Sequence, residues 1–267
     1  MNNIIGVVTT TYPNHGLEDA LRGISKAGFG YVELTSAPAF FTHIVPNPED
    51  MTEEDAKNIL DLCSKYGLKV HCVAGHTRLM KENGVNNFKK VIDAAKTFGA
   101  GHVTTDTGEV KNGQDKQRFF SDMAQIADYA QDKGITVCLE MHGDWLNTGA
   151  IGAEVIGKIG HPNIRLNYDT ANVMFYGGVK AEQDMVNALP YLGFVHLKER
   201  AGGLKEWNFP APGEGNLDFN KIFEILKDYQ GPMSVEIEFD GSEKSLEEID
   251  AAVIKAYDFL KKSGYAE

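Results

Sequence analysis

Short apolar runs alternate along this chain with stretches whose apolar residues recur every three or four positions. The first run, Ile4 to Thr10, leads into an amphipathic segment with Leu17, Leu21, Ile24 and Ala27 on one helical face, and then into a second run, Tyr31 to Ser36. That is a β-α-β opening. The alternation continues with a helix over 51–66, a strand over 69–75, a helix over 86–98, a strand over 102–107 and a helix over 115–133. The second half adds strands in TVCLEMH, IRLNYDT, YLGFVHLKE and MSVEIEF, with helices over 150–159, 183–189, 219–228 and 246–261. Several helical stretches run into glycine, in AGFG, KYGLK, TFGAG and DKGIT, where a left-handed residue closes a helix at little cost. Eight strands separated by amphipathic helices predict a closed (β/α)8 TIM barrel, an α/β fold without exposed sheet edges. An open doubly wound sheet is the alternative. No Pro/Gly/Ser-rich linker interrupts the pattern, so residues 1–267 read as one domain.

In a barrel, the longer stretches 38–50, 108–115 and 200–218 follow strands and rim the catalytic face. Four strand ends carry residues that a buried strand should not hold without a partner: Glu140, Asp169, His196 and Glu236. Together they could enclose one hard divalent metal. Three carboxylates and an imidazole suit Mn²⁺ first and Co²⁺ beside it, with Mg²⁺ and Zn²⁺ as further candidates. Asp169 could instead cap the next helix, and His196 could be an inward histidine held by a hydrogen bond. Glu236 and Glu238 share a strand face; Glu236, deeper in its run, is the expected ligand, leaving Glu238 to orient it or to pair with Lys198 or Arg200.

Lys198 stands two residues beyond His196 on the same face, where it could stabilise developing negative charge. Arg200 joins it only if the strand runs that far. His142 and Trp145 after strand five, Asn172 after strand six and His76 after strand three are candidates to contact a substrate. Trp145 could equally fill space against the next helix. Glu33 and Asp106, at the ends of strands two and four, are candidates to support the pocket from behind.

Composition narrows the partners. A formal net charge of -12, from 38 acidic and 26 basic residues, argues against nucleic acid and anionic membranes. The start, MNNIIGVVTTTY, lacks a secretory pattern, and no later stretch reaches the roughly 18 apolar residues of a membrane span. Cys63, Cys72 and Cys138 are odd in number and not spaced as metal ligands, which fits a reduced, cytoplasmic setting. GEGNLD lacks the GK[ST] ending of a Walker loop, and GFGYVE lacks the GxGxxG order, so nothing calls for a nucleotide cofactor. Phe40, Phe41, Phe175, Tyr176 and Trp207, near loops, could line a pocket or form the contact of a homodimer.

The motifs LEMHGDWLNTG, LNYDTANV, FVHLKER, APGEGNLDF and GPMSVEIEFDG resemble, in this order, those of the xylose-isomerase-like sugar isomerase and epimerase superfamily. The resemblance extends over most of the chain. It implies Glu140, Asp169, His196 and Glu236 in the four ligand positions, and it nominates Glu140 and Glu236 as the acid-base pair that exchanges protons with opposite faces of a bound sugar. It also implies a substrate contact for His142. Some ketose 3-epimerases of this family carry histidine three residues beyond the sixth-strand aspartate, where this chain has Asn172. An amide positions a hydroxyl but does not transfer a proton in the same way. The expectation is a metal-dependent isomerase or epimerase of a small neutral ketose or keto-sugar, working through an enediolate. A keto-inositol or keto-sugar dehydratase is the nearest alternative, since the chain also resembles inosose dehydratase, and a sugar-binding barrel without turnover is the other.

Overall fold

The computed structural model describes residues 4–265. Its strands are β1 (Ile5–Val8), β2 (Tyr31–Ala37), the two-residue β3 (Phe41–Thr42), β4 (Lys69–Ala74), β5 (His102–Thr105), β6 (Thr136–Glu140), β7 (Ile164–Asp169), β8 (Leu192–Lys198) and β9 (Met233–Glu236). All except β3 run parallel, in the order β1-β9-β8-β7-β6-β5-β4-β2, and pairing of Val7 with Val32 and of Val8 with Glu33 joins the two ends. The result is a single (β/α)8 barrel, and this closure removes the open-sheet alternative.

Between the strands run α1 (Leu17–Ala27), α2 (Glu53–Lys65), α3 (Gly84–Thr97), α4 (Gly113–Lys133), α5 (Gly149–Ile159), the single turn α6 (Asn172–Phe175), α7 (Ala181–Ala188), α8 (Phe219–Ile225) and α9 (Leu246–Lys262). Three of them start on reciprocal capping boxes, Thr52 with Asp55, Asn112 with Asp115 and Ser245 with Glu248, which satisfy backbone N–H groups that a helix start leaves free. At the other end of α1, Gly28 takes φ 109° and lies so near Tyr257 that a Cβ would stand 2.7 Å from its ring. The inner face of α1 buries Ala20, Leu21, Ile24 and Ala27; full burial of side chains the size of Leu21 and Ile24 contributes about 1.5–3 kcal/mol each.

The structure differs from the pattern reading mainly at the catalytic rim. The first strand stops at Val8, because Thr9–Thr11 turn into a 3-10 helix. The hairpin strand β3 and the single turn α6 are too short to show a period. Among the described residues, no helix is long and apolar enough to cross a membrane.

Candidate metal and acid-base site

Four strands that neighbour one another in the barrel wall, β6 to β9, end in Glu140, Asp169, His196–Lys198 and Glu236. One ligand atom from each of Glu140, Asp169, His196 and Glu236 lies within 4.8 Å of the other three, and all four residues are buried. His196 Nδ1 is 3.3 Å from Glu236 Oε2, 3.6 Å from Glu140 Oε2 and 3.9 Å from Asp169 Oδ2. Glu236, rather than Glu238, joins the cluster.

Each ligand atom is aimed from behind. Glu33 Oε2 accepts from His196 Nε2 at 3.1 Å, and its other oxygen accepts from Thr104 at 2.6 Å. Since Glu33 is an acceptor, Nε2 carries the hydrogen, and Nδ1 is the nitrogen left to face the carboxylates. Asp169 divides its two oxygens: Oδ1 accepts from the Ala171 and Asn172 amides at 2.8 Å, at the start of α6, while Oδ2 points into the cluster. Asn172 Nδ2 donates to Glu140 Oε1 at 3.0 Å, and Thr10 Oγ1 donates to Glu236 Oε1 at 3.4 Å. Asp169 Oδ2 and Glu236 Oε2 are buried and have no hydrogen-bond partner among the described residues. Two orphaned carboxylate oxygens beside an imidazole nitrogen are a donor set that fits a divalent cation.

The charges say the same. Burial pushes the Glu140 carboxyl well above its usual range, and Glu236 and Asp169 add to this against the opposing His196. Asp169 is raised to about 7, by burial first, with Lys198 opposing. The burial of His196 is outweighed by Glu33, Glu140 and Glu236, which hold it well above an ordinary imidazole. Glu236 goes the other way, its burial outweighed by Lys198 and His196. Without a cation the cluster therefore retains protons, and a cation must displace them. Raised values favour the protonated, non-ligating forms, so affinity for Mn²⁺ is expected to strengthen as pH rises through about 7. Calorimetry in buffers of different ionisation enthalpy should show proton release on binding; pH-independent affinity without release would contradict this electrostatic account.

Glu140, His196 and Glu236 of the cluster line a cavity of about 440 Å³ that His76, His142, Asn172, Lys198, Asp106 and Glu238 also line. His76 Nε2 is 3.3 Å from Glu140 Oε2, with Asp106 Oδ2 3.9 Å from its other nitrogen. His142 Nε2 meets the Tyr176 hydroxyl at 2.9 Å, and burial lowers this histidine to about 4, which keeps it neutral. Lys198 Nζ contacts Glu238 at 2.6 Å, Glu236 at 3.4 Å and Asp169 at 3.8 Å. Two candidates are elsewhere. Arg200 donates to the Gly203 carbonyl in its own loop and does not line the cavity, because β8 ends at Lys198 and the alternation stops there. Trp145 faces a neighbouring cavity. Asn167 was not foreseen: its Nδ2 is 3.2 Å from His196 Nδ1 and 3.4 Å from Glu140 Oε2. Its signal was present, since it lies two residues before Asp169 and so on the same strand face.

Known proteins share the family and the fold of this chain. L-ribulose 3-epimerase from Methylomonas sp. (strain DH-1) is 26% identical over 243 residues, which cover 83% of this chain and 78% of that protein. Inosose dehydratase from Serratia proteamaculans (strain 568) is 30% identical over 146 residues, 46% of this chain and 48% of that protein. The crystal structure of a xylose isomerase domain protein from Planctomyces limnophilus superposes with a TM-score of 0.79 over 97% of this chain and 96% of that one, at 19% identity, a likeness of fold. The family profile described as Xylose isomerase-like TIM barrel matches residues 21–263. With that match covering most of its length, the chain belongs to the xylose isomerase-like TIM barrel family.

Proposed function

We propose that the chain is a divalent-metal-dependent isomerase or epimerase of a small ketose or related keto-sugar, working as one domain. The observation that carries this reading is the pair Glu140 and Glu236, both buried, both within one four-residue ligand cluster and both lining a cavity large enough for a sugar. Glu140, Asp169, His196 and Glu236 would hold the cation, with Mn²⁺ preferred for this mix of carboxylates and imidazole. When bound, such an ion supplies Lewis-acid polarisation of a sugar carbonyl.

The rest is the work of the side chains. One glutamate removes the proton next to the carbonyl and the other returns a proton to the opposite face, which inverts the carbon; return to the neighbouring carbon isomerises ketose and aldose. The Lys198 ammonium, 3.4 Å from Glu236 Oε2, stabilises negative charge developing on the enediolate oxygens. Asn172 fixes Glu140 through Oε1. His142 and Tyr176, hydrogen-bonded to each other, offer contacts to sugar hydroxyls.

Dehydration is the second reading. It is supported by the match to inosose dehydratase and by His76, which lies against Glu140 in the same cavity and adds a third group there able to handle protons. One experiment separates the two: Mn²⁺-loaded protein is incubated with neutral ketoses, aldoses and keto-inositols in deuterated water and followed by NMR. Deuterium at an inverted or isomerised carbon is the expected result. Loss of water selects the dehydratase, and no exchange from any compound at full metal occupancy would remove the sugar proposal.

A further inference from the structure

The cavity at the metal cluster has a neighbour. A second cavity of about 350 Å³ adjoins it, and Phe40, Asp106 and His142 line both. Trp145 lines only the second. Its half-buried ring is braced edge-on by Phe119 and Phe120 of α4, with centroids 5.1 and 6.1 Å away and interplanar angles of 86° and 85°, and Lys116, which does not line the cavity, places its Nζ 5.0 Å from the ring centroid. An aromatic plate held in this way offers contact area with little conformational entropy left to lose.

The surrounding chemistry limits what that plate receives. Leu79 and Val110 supply apolar wall, while Asp106 and Asp144 supply acceptors for hydroxyl groups. The lining also holds two lysines, Lys81 and Lys111, but both are ion-paired to Glu109, at 3.1 and 2.7 Å. An anion such as a phosphate would have to compete with Glu109 for them and would meet Asp106 and Asp144 as well. A sugar ring suits the surface better, since its C–H face packs on an indole and its hydroxyls donate to carboxylates.

We infer that the second cavity is a subsite for a second sugar ring, so that the substrate is a keto-sugar bearing a neutral glycosyl group rather than a free monosaccharide. This rests on reading the first cavity as the isomerase or epimerase site: the keto unit sits at the cluster, and the glycosyl unit passes Phe40, Asp106 and His142 to reach Trp145.

The test uses Mn²⁺-loaded full-length protein in deuterated water, with D-fructose and D-tagatose as free ketoses and lactulose, maltulose and isomaltulose as keto-disaccharides. At least one disaccharide is expected to exceed the free ketoses in kcat/KM for deuterium incorporation by about tenfold or more. Val110→Trp fills the second cavity without touching the cluster cavity. It should remove that advantage while leaving exchange with free ketose within about twofold of the parent protein. Trp145→Leu, which takes away the plate, is expected to show the same selective loss, and retained free-ketose exchange certifies the fold of either variant. Saturation-transfer NMR adds a readout independent of turnover, in which the non-reducing ring receives magnetisation from the parent protein and not from Val110→Trp. Free ketoses exchanging as fast as disaccharides, with both variants indifferent, overturn the subsite and leave the isomerase reading in place. No exchange with either class, despite bound Mn²⁺, overturns both.

Discussion

Glu140→Gln and Glu236→Gln, each assayed at full metal occupancy, are expected to lose about 10²–10⁴-fold in interconversion of the two sugar epimers. The amide keeps the size of the side chain and an oxygen for Asn172 or Thr10 to donate to, so the surroundings need not rearrange. What it removes is a group able to take and return a proton. Ligand loss and base loss are told apart by metal stoichiometry, measured on the same samples. A two-base mechanism makes a sharper demand: each variant retains one glutamate, so it should still exchange the substrate hydrogen with solvent for one epimer and not for the other. The two variants should show opposite preferences. If both exchange both epimers, or if either interconverts them at the parent rate with metal bound, the acid-base assignment is wrong.

Replacing Lys198 by methionine should destabilise the metal-free protein by about 3–5 kcal/mol, the usual cost of removing one partner from a buried charge cluster. Lys198 is buried beside Asp169, Glu236 and Glu238, and these three carboxylates hold its ammonium well above its ordinary pKa against the pull of burial. Methionine leaves them facing one another with His196 as the nearest cation. Denaturant titration at neutral pH measures the loss. Adding Mn²⁺ should recover part of it, because the ion brings positive charge to Asp169 and Glu236, although it leaves Glu238 without its 2.6 Å partner. A variant as stable as the parent protein, with and without Mn²⁺, would mean that the ammonium does not compensate these acids.

The barrel was legible because each strand is a short apolar run and each helix shows a different period, so the two alternate visibly. Strand ends were less so. HVTTDT reads as a strand through Thr107, yet pairing stops at Thr105 and Asp106 turns to accept from the Gly108 amide. The four cluster residues stood out as polar side chains at the ends of buried runs, a local signal. The support behind them was harder to read. Glu33 could be suspected from its own strand, but nothing near it in the sequence names His196 as its partner. Arg78 is a clearer case: buried, bonded to Glu49 at 2.6 Å and to the Ser36 carbonyl at 2.6 Å, it ties the loop after β4 to the end of β2 and to the loop between β3 and α2 through contacts that are not local. Trp145 shows the limit for direction, because a loop residue has no strand alternation to say which cavity it faces.

The hydrogen bond between Glu33 and His196 also gives the site a place in the order of assembly. The partners are 163 residues apart, and Thr10 and Glu236 are 226 apart. All four cluster residues lie in the second half of the barrel, but two of the groups that aim them belong to the first two βα units. A partly folded chain in which only β6 to β9 have come together carries every ligand and still lacks the carboxylate that sets the imidazole. Tight metal uptake is thus expected to await closure of the barrel, which brings Thr10 and Glu33 of its first two units against Glu236 and His196 of its last ones.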